Sequence, residues 1–328
     1  MSTNSNGEAT APSPTRRRTL VVPEILTVLA IVLTLTAFCG RWGWLWELST
    51  HFRVQYFWTL TIASALLALS RRPLWASAAG LFAAVNLTLI VPLYIPPDAP
   101  KGTGAPARAL SLNVYWYNNQ YSTVLRWIRQ EKPDFFLLLE VTPGWIGALE
   151  ELKEEYPYYR ESPKRSPGGI AFYSRVPAAN LDLRYVVGMP TVVAHLAPPS
   201  GPYTVIGVHP SSPKSAQTFA RRNRELARLA ELAVLERGPL VVMGDLNCTS
   251  WSPDFQDLVE ETGLVDSRLG FGVQATWPGL PLPLRIPIDH CLVSRDVAVK
   301  GRRVGPEVGS DHRGIVMDLE IMMNTSAE

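Results

Sequence analysis

The segment Val241–Asn247, VVMGDLN, ends a run of strand-forming residues in a glycine, a carboxylate and an amide, the last two one residue apart. Side chains two apart on an extended segment share a face, so Asp245 and Asn247 can converge on one ligand. The same residue types serve any strand exit as a turn, and taken alone the stretch favours the turn. Similar placements recur along the chain. Asn113 lies near the end of Ala109–Val114, Glu140 follows Phe135–Leu139, His209 follows Thr204–Val208, Asp289 lies within Ile288–Val293, and Asp311-His312 precede Ile315–Ile321. Each has a plain structural reading: a turn closed by Asn113, a solvated acid at Glu140, a loop histidine before Pro210, a turn capped through Ser310. Together they make the set that phosphate-ester chemistry asks for. A hard divalent cation such as Mg²⁺ takes oxygen ligands, usually one or two carboxylates with waters and substrate phosphate. It neutralises phosphoryl charge and lowers the pKa of bound water. Attack at phosphorus then needs a group over the water and a donor for the developing charge. Glu140 leads as the metal ligand, with Asn113 and Asp311 beside it.

Such residues must be delivered by a frame of strands. Short apolar runs predict strands at Ala109–Val114, Phe135–Leu139, Ile170–Tyr173, Thr191–Ala194, Thr204–Val208, Leu240–Met243, Ile288–Val293 and Ile315–Ile321. Helical periodicity fits Ser122–Gln130, Pro143–Glu155, Ala216–Leu235 and Pro253–Thr262. Thr142-Pro143 and Ser252-Pro253 each set a hydroxyl residue before a proline at the first helical position. Strands and helices alternating in this number predict an α/β fold, most simply two stacked sheets covered by helices. Pro96–Arg108, PPDAPKGTGAPAR, has no hydrophobic period and reads as a linker into a catalytic domain over 109–328.

The first part of the chain is of another kind. Leu20–Cys39, Val54–Leu69 and Leu74–Ile95 each approach the roughly 20 apolar residues that cross a bilayer. Three in succession, joined by short polar hinges, have no amphipathic partner to bury them, so residues 19–95 read as a three-helix membrane anchor behind a polar tail, 1–18. No small-residue cleavage site precedes Arg41, which argues against a removed signal peptide. Arg16-Arg17-Arg18 and Arg71-Arg72 mark the cytoplasmic side, and Trp42, Trp44, Trp46 and Trp58 suit an aromatic belt at the outer interface. The expected location is the cytoplasmic (inner) membrane, multi-pass, with everything after Ile95 extracytoplasmic. The net charge of +2 over 328 residues points to no particular partner. Cys248 and Cys291 read either as a disulfide or as two free thiols.

The motifs LSLNV, LLLEV, GVHP, GDLN, IDH and GSDHR, in this order between Ala109 and Ile321, resemble those of the endonuclease/exonuclease/phosphatase superfamily. That superfamily includes pancreatic-type deoxyribonuclease, abasic-site endonucleases, neutral sphingomyelinases and inositol-polyphosphate phosphatases. GDLNCTSWSPDF and the proline-rich loop after His209 are similar to its membrane-tethered bacterial members. The resemblance implies a four-layer α/β sandwich after the three spans. It implies Glu140 as principal metal ligand for Mg²⁺ or Mn²⁺, with Asn113 holding the metal or the phosphate and Asp311 contacting the metal region. Asp245 would orient or deprotonate the attacking water and Asn247 would bind a phosphate oxygen. His312 would face the phosphate, as charge-stabilising donor or as part of an acid/base pair. His209 would be the second histidine, and Asp289 the orienting carboxylate of either one. Leu139 stands where many relatives have a glutamine before the metal-binding glutamate.

Other polar residues have bland readings. His195 reads as a satisfied core histidine, His290 points away from the site by strand alternation, and His51 has no chemical partner in view. Arg221, Arg222, Arg224 and Arg228 fit a solvated helix face, and Lys164-Arg165 and Lys300–Arg303 fit surface loops. The expectation is a membrane-anchored, metal-dependent phosphoesterase that uses activated water and no covalent intermediate. A tethered site close to a bilayer suits phospholipid or sphingolipid headgroups, with extracellular nucleic acid as the rival substrate. A nuclease and a non-catalytic binding module are the alternatives, and no aromatic-plus-basic track of a single-strand binder is visible.

Overall fold

The computed structural model describes residues 22–98, 100, 104–279 and 282–322. The polar tail with Arg16, Arg17 and Arg18 lies outside the described residues.

Twelve strands and eight α-helices order the described chain. The amino-terminal part contains α1 (Val22–Thr36), α2 (Trp44–Leu48), α3 (Arg53–Leu69) and α4 (Pro73–Ile90), joined by 3₁₀ turns at Ala37–Trp42 and Ser49–Phe52. Among the described residues three segments, Val22–Trp42, Trp44–Leu69 and Pro73–Tyr94, are long and apolar enough to cross a membrane. Their outward faces carry Ile25, Leu29, Phe38, Ile62 and Leu81 in the open. Inside the bundle, Asn86 Nδ2 donates to Thr34 Oγ1 and to the Phe82 carbonyl, each at 2.9 Å, so the amide nitrogen of the polar residue that interrupts the third apolar run is bonded.

The rest of the chain folds as β1 (Gly104–Asn113), α5 (Tyr121–Glu131), β2 (Phe135–Leu139), α6 (Pro143–Leu149), β3 (Tyr158–Ser162), β4 (Ile170–Ser174), β5 (Ala178–Val186), β6 (Met189–Leu196) and β7 (Tyr203–Val208). There follow α7 (Ala216–Leu235), β8 (Leu240–Asp245), α8 (Pro253–Thr262), β9 (Val265–Asp266), β10 (Asp289–Val293), β11 (Val297–Val304) and β12 (Ile315–Met322). They form two six-stranded sheets, ordered β11-β12-β1-β2-β4-β3 and β5-β6-β7-β8-β10-β9. Alternation along each central strand builds the layers. Phe135, Leu137 and Leu139 of β2 point into the space between the sheets, against Val205, Val241 and Met243. Phe136 and Leu138 point the other way, onto Trp127 of α5 and Trp145 of α6. On the second sheet, Ile206, Val208 and Val242 face Leu226 and Leu229 of α7 and Phe255 of α8. Each such side chain contributes about 1.5–3 kcal/mol by leaving water. Two mixed sheets thus lie between two helical layers, the sandwich expected.

The structure differs from the sequence reading where strands lie at or near sheet edges. Strands β3, β5, β9 and β11 have no continuous apolar run, because an edge strand is half solvated; β5 alternates instead, with Leu181 and Leu183 packed on the core. Lys300–Arg303, read as a surface loop, belongs to β11, and Arg302 turns inward to donate to Ser267 Oγ at 3.1 Å and to the Asp289 carbonyl at 3.2 Å. The helix expected over Pro143–Glu155 ends as α at Leu149 and tightens to 3₁₀ over Glu150–Leu152. Strand β1 starts at Gly104, so the second half of the proline-rich segment pairs with β12, Gly104 opposite Met322.

The helical part docks on the sandwich through a polar seam. Arg41 makes a two-point contact with Asp257, at 2.7 and 2.6 Å. Trp44 Nε1 donates to the Pro213 carbonyl at 2.6 Å, and Gln55 Nε2 donates to the carbonyls of Pro283 and Arg285 at 3.0 and 2.9 Å. Trp251 Nε1 donates to the Leu89 carbonyl at 2.9 Å, and the N–H groups of Gly270 and Gly272 both donate to the Leu93 carbonyl. His51 is not without partners: it is buried, with Nδ1 3.1 Å from Thr249 Oγ1 and Nε2 3.4 Å from Glu47.

Candidate active site

Strand direction explains why the candidate residues come to one end of the sandwich. Strands β1 and β2 are parallel, with Asn113 opposite Leu139, so Asn113 and the following Glu140 emerge at one end of the first sheet. Strands β7 and β8 are parallel in the second sheet, with Val208 opposite Gly244, so His209 and Asp245 emerge together. The antiparallel strand β10 starts at that same end, with Asp289 opposite Asp245. In the first sheet β12 runs against β1, and Asp311-His312 stand just before it.

Asn113 joins the two sheets. Its Oδ1 accepts the Tyr115 N–H at 3.0 Å, which turns Nδ2 toward Glu140 Oε1 at 3.1 Å and Asp245 Oδ2 at 3.2 Å. The second Glu140 oxygen accepts the Trp116 N–H at 3.2 Å. Glu140 itself holds a left-handed backbone, φ 61°, which is uncommon for a glutamate and the kind of local strain that functional sites retain.

Asp245 is buried beneath this group. Oδ1 accepts the Asn247 N–H at 2.9 Å, and Oδ2 lies 3.5 Å from His209 Nε2 and 3.6 Å from His312 Nε2. Burial alone would raise its carboxyl, but the charge of His312 and the contact with His209 outweigh that and hold it at about 2. His312 Nδ1 donates to Asp289 Oδ2 at 2.9 Å. Burial pushes this imidazole down, whereas the Asp289 and Asp245 carboxylates lift it to about 10. His209 is likewise raised against its burial, by Asp245 and then Glu140, whose Oε1 is 3.9 Å from Nε2. Asp311 Oδ2 accepts the Trp277 indole N–H at 3.2 Å, and Ser310 Oγ ties this loop to the Asn113 carbonyl at 2.6 Å. Asn247 turns its amide nitrogen to the Pro210 carbonyl at 2.9 Å.

Gly244 is required by close approach. With φ 150°, a Cβ there would sit 1.9 Å from the Val208 carbonyl oxygen of the neighbouring strand. Gly244→Ala must part β7 from β8. The expected cost is roughly 2–4 kcal/mol of stability, read as a lowered midpoint in thermal unfolding of the purified chain; an unchanged midpoint contradicts it.

The donor set suits a hard cation. The carboxylates of Glu140, Asp245, Asp289 and Asp311 all face this end of the sandwich, and Asp289 Oδ1 and Asp311 Oδ1 are buried without a hydrogen-bond partner. Buried carboxylate oxygens are rarely left so unless another charge meets them. Asp245, Asp289 and His312 also offer three ligand atoms within 4.8 Å of one another. Two uses of Asp289 therefore compete, as a cation ligand and as the hydrogen-bond partner of His312.

Residues outside the sequence-derived set support this geometry. Tyr115 and Trp116 contribute backbone N–H groups, and Trp277 contributes its indole. Behind the site, His290 points away as expected: Nε2 lies 2.7 Å from the Cys248 carbonyl and Nδ1 3.2 Å from Arg268. Burial, and then the Arg268 charge, depresses His290 to about 3, so it stays neutral. Cys248 and Cys291 are both buried free thiols. His195 is half-buried and contacts Glu236 at 3.0 Å, at the far end of the sheet.

A family model described as "Endonuclease/Exonuclease/phosphatase family" matches residues 110–312. No curated protein matches the chain. Similar solved structures include D. rerio TDP2 complexed with single-strand DNA product, 16% identical with a TM-score of 0.56, covering 66% of this chain and 99% of that one. Another is a variant of the 3′ phosphatase NExo from Neisseria bound to product DNA hairpin, 21% identical with a TM-score of 0.55, covering 65% and 99%. The Beutenbergia cavernae endonuclease/exonuclease/phosphatase is 20% identical with a TM-score of 0.54, covering 68% and 73%.

Proposed function

This chain belongs to the endonuclease/exonuclease/phosphatase family, and from that premise we propose that it is a membrane-anchored, divalent-metal-dependent phosphodiesterase that attacks phosphorus directly with water. The observation that carries the reading is the meeting of Asn113, Glu140, His209, Asp245, Asp289 and His312 from both sheets within hydrogen-bonding reach of one another. Glu140 would hold Mg²⁺ or Mn²⁺, with Asp311 and Asn113 at its margin. The cation would neutralise phosphoryl charge and acidify bound water. Asp245, ionised at any ordinary pH, accepts a hydrogen bond from the attacking water and aims it. A carboxylate held at about 2 is too weak a base to take the proton before the transition state; it receives the proton as the new P–O bond closes, while the bond to the leaving alkoxide breaks and that oxygen takes a proton from solvent. His312, cationic at neutral pH, donates from Nε2 to the phosphoryl oxygen as charge builds, while Asp289 fixes its ring from Nδ1. Asn247 and His209 bind the remaining phosphate oxygens.

The substrate we assign is a lipid headgroup. Three loops at the catalytic end of the second sheet touch the helical part: Pro213 after His209, Thr249 after Asn247, and Gly270 to Arg285 before Asp289. A site whose rim rests against membrane-spanning helices is within reach of phosphate at the bilayer surface. Residues 19–95 are then the anchor in the inner membrane, 96–103 the connection, and the extracytoplasmic catalytic part starts with β1 at Gly104, ahead of the Ala109 expected, as in membrane-tethered bacterial relatives. An extracytoplasmic nuclease is the second reading, drawn from the DNA in two similar structures.

The test is hydrolysis by the full chain in lipid nanodiscs, offered phospholipids, sphingolipids, single- and double-stranded DNA and phosphomonoesters. Lipid diesters should turn over with Mg²⁺ or Mn²⁺, chelator should remove more than about 99% of the rate, roughly what loss of such a cation costs, and readdition should restore it. Turnover of DNA with lipids untouched would put the second reading in its place.

A further inference from the structure

A buried ion pair outside the site has no part in the steps above. Glu47 lies on α2, in the first turns of the second membrane-length segment, Trp44–Leu69, and Arg222 on α7; both side chains are 0% exposed. The sequence placed Arg222 on a solvated helix face and gave Glu47 no role. Burying both charges costs several kcal/mol per ion unless each is bonded, and these are. Glu47 Oε1 accepts from Arg222 Nη2 at 2.9 Å and from Ser252 Oγ at 2.6 Å. Arg222 Nε donates to Asn223 Oδ1 at 2.9 Å, and Nη1 donates to the Asn247 carbonyl at 3.1 Å.

That last bond enters the site. Asn247 has φ 51°, a left-handed backbone that asparagine tolerates but does not prefer. Its N–H is held by Asp245, its side-chain amide by Pro210, and its carbonyl by Arg222. We propose that Glu47 is a positioning residue: by fixing the Arg222 guanidinium it holds the Asn247 peptide in the turn that presents Asp245 and Asn247 to phosphate. Turnover then depends on α2, at the start of the second membrane-length segment, being seated on the sandwich. The kinetic half of this claim rests on the phosphodiesterase reading; the structural half does not.

The experiment uses the full chain in nanodiscs, with the lipid substrate most active in the panel above, and measures kcat, KM and hydrogen exchange over residues 245–252. Glu47→Gln should lower kcat roughly 10- to 100-fold, the usual effect of losing support for a reacting group, leave KM within about twofold, and speed exchange in that segment. Glu47→Asp, which keeps the charge, should recover part of the loss. Arg41→Ala breaks the exposed contact with Asp257, which does not reach this turn, and should leave kcat and exchange unchanged. Without Glu47 the buried Arg222 keeps only one carboxylate, that of Asp254 at 3.5 Å from Nη2, and stability falls, so Glu47→Met/Arg222→Met is measured too. Apolar replacement of a buried pair usually folds, and this variant should show the same kcat loss and faster exchange. Wild-type kcat and exchange in the folded double variant would overturn the proposal. A wild-type chain inactive on every ester would sink the phosphodiesterase reading instead, and exchange alone would then decide the role of Glu47.

Discussion

Asp245→Asn should lower kcat by roughly 10²–10⁴, the range set by misplacing the attacking water and removing a charge from the site, while the chain stays folded. The substitution keeps the shape of a side chain that is buried at the end of β8. What changes is the pattern of donors. Asn113 Nδ2, His209 Nε2 and His312 Nε2 all face Asp245 Oδ2 at 3.2 to 3.6 Å. An amide in this place either sets its own N–H₂ against those donors or turns it toward the Asn247 N–H. In both cases the water loses its acceptor and His312 loses one of the two carboxylates that keep it charged. Steady-state kinetics beside a thermal unfolding curve reads both effects. A variant within tenfold of the parent, folded, would mean that the water is aimed by another group.

The second large effect concerns His312 and Asp289 as a pair. His312→Ala should cost roughly 10²–10³ in kcat, as removal of a donor to developing charge does. Asp289→Asn alone should cost less, and the combination His312→Ala/Asp289→Asn should be no slower than His312→Ala by itself. The reason is geometric: Asp289 Oδ2 meets the site through His312 Nδ1, and once the imidazole is gone it has nothing left to orient. The competing use of Asp289, as one of three ligand atoms around a cation, predicts the opposite, because losing a ligand adds its own penalty. A complete set of single and double variants, assayed at saturating Mg²⁺, separates the two by whether the losses multiply.

The sandwich and the site differed in how far they could be read from sequence. Central strands such as β2 and β8 are buried on both faces, so FFLLL and VVMGD announce themselves as apolar runs. The polar residues at their ends were visible for the same reason, as interruptions of those runs. Edge strands such as β5 and β11 carry no such signal, because half of their side chains meet water. Hidden too was anything that depends on a distant partner. Arg222 sits among Arg221, Arg224 and Arg228 and looks like any of them; only the fold brings Glu47, 175 positions away, against it. The orientation of Asn113 was equally out of reach, since it is set by the backbone N–H of Tyr115. Which histidine Asp289 serves was left open by the spacing and is answered by the 2.9 Å contact with His312.

The seam between helices and sandwich bears on how such a molecule would meet its substrate. Arg41, Trp44, Gln55, Leu89 and Leu93 grip the sandwich at separate points, so it is mounted at fixed height and cannot swing like a float on a cord. On the lipid-headgroup proposal, a body held that way would meet its substrate by lateral drift in a plane. The quantity setting its speed would then be the number of target molecules per unit of surface, which diluting the bulk solution leaves untouched.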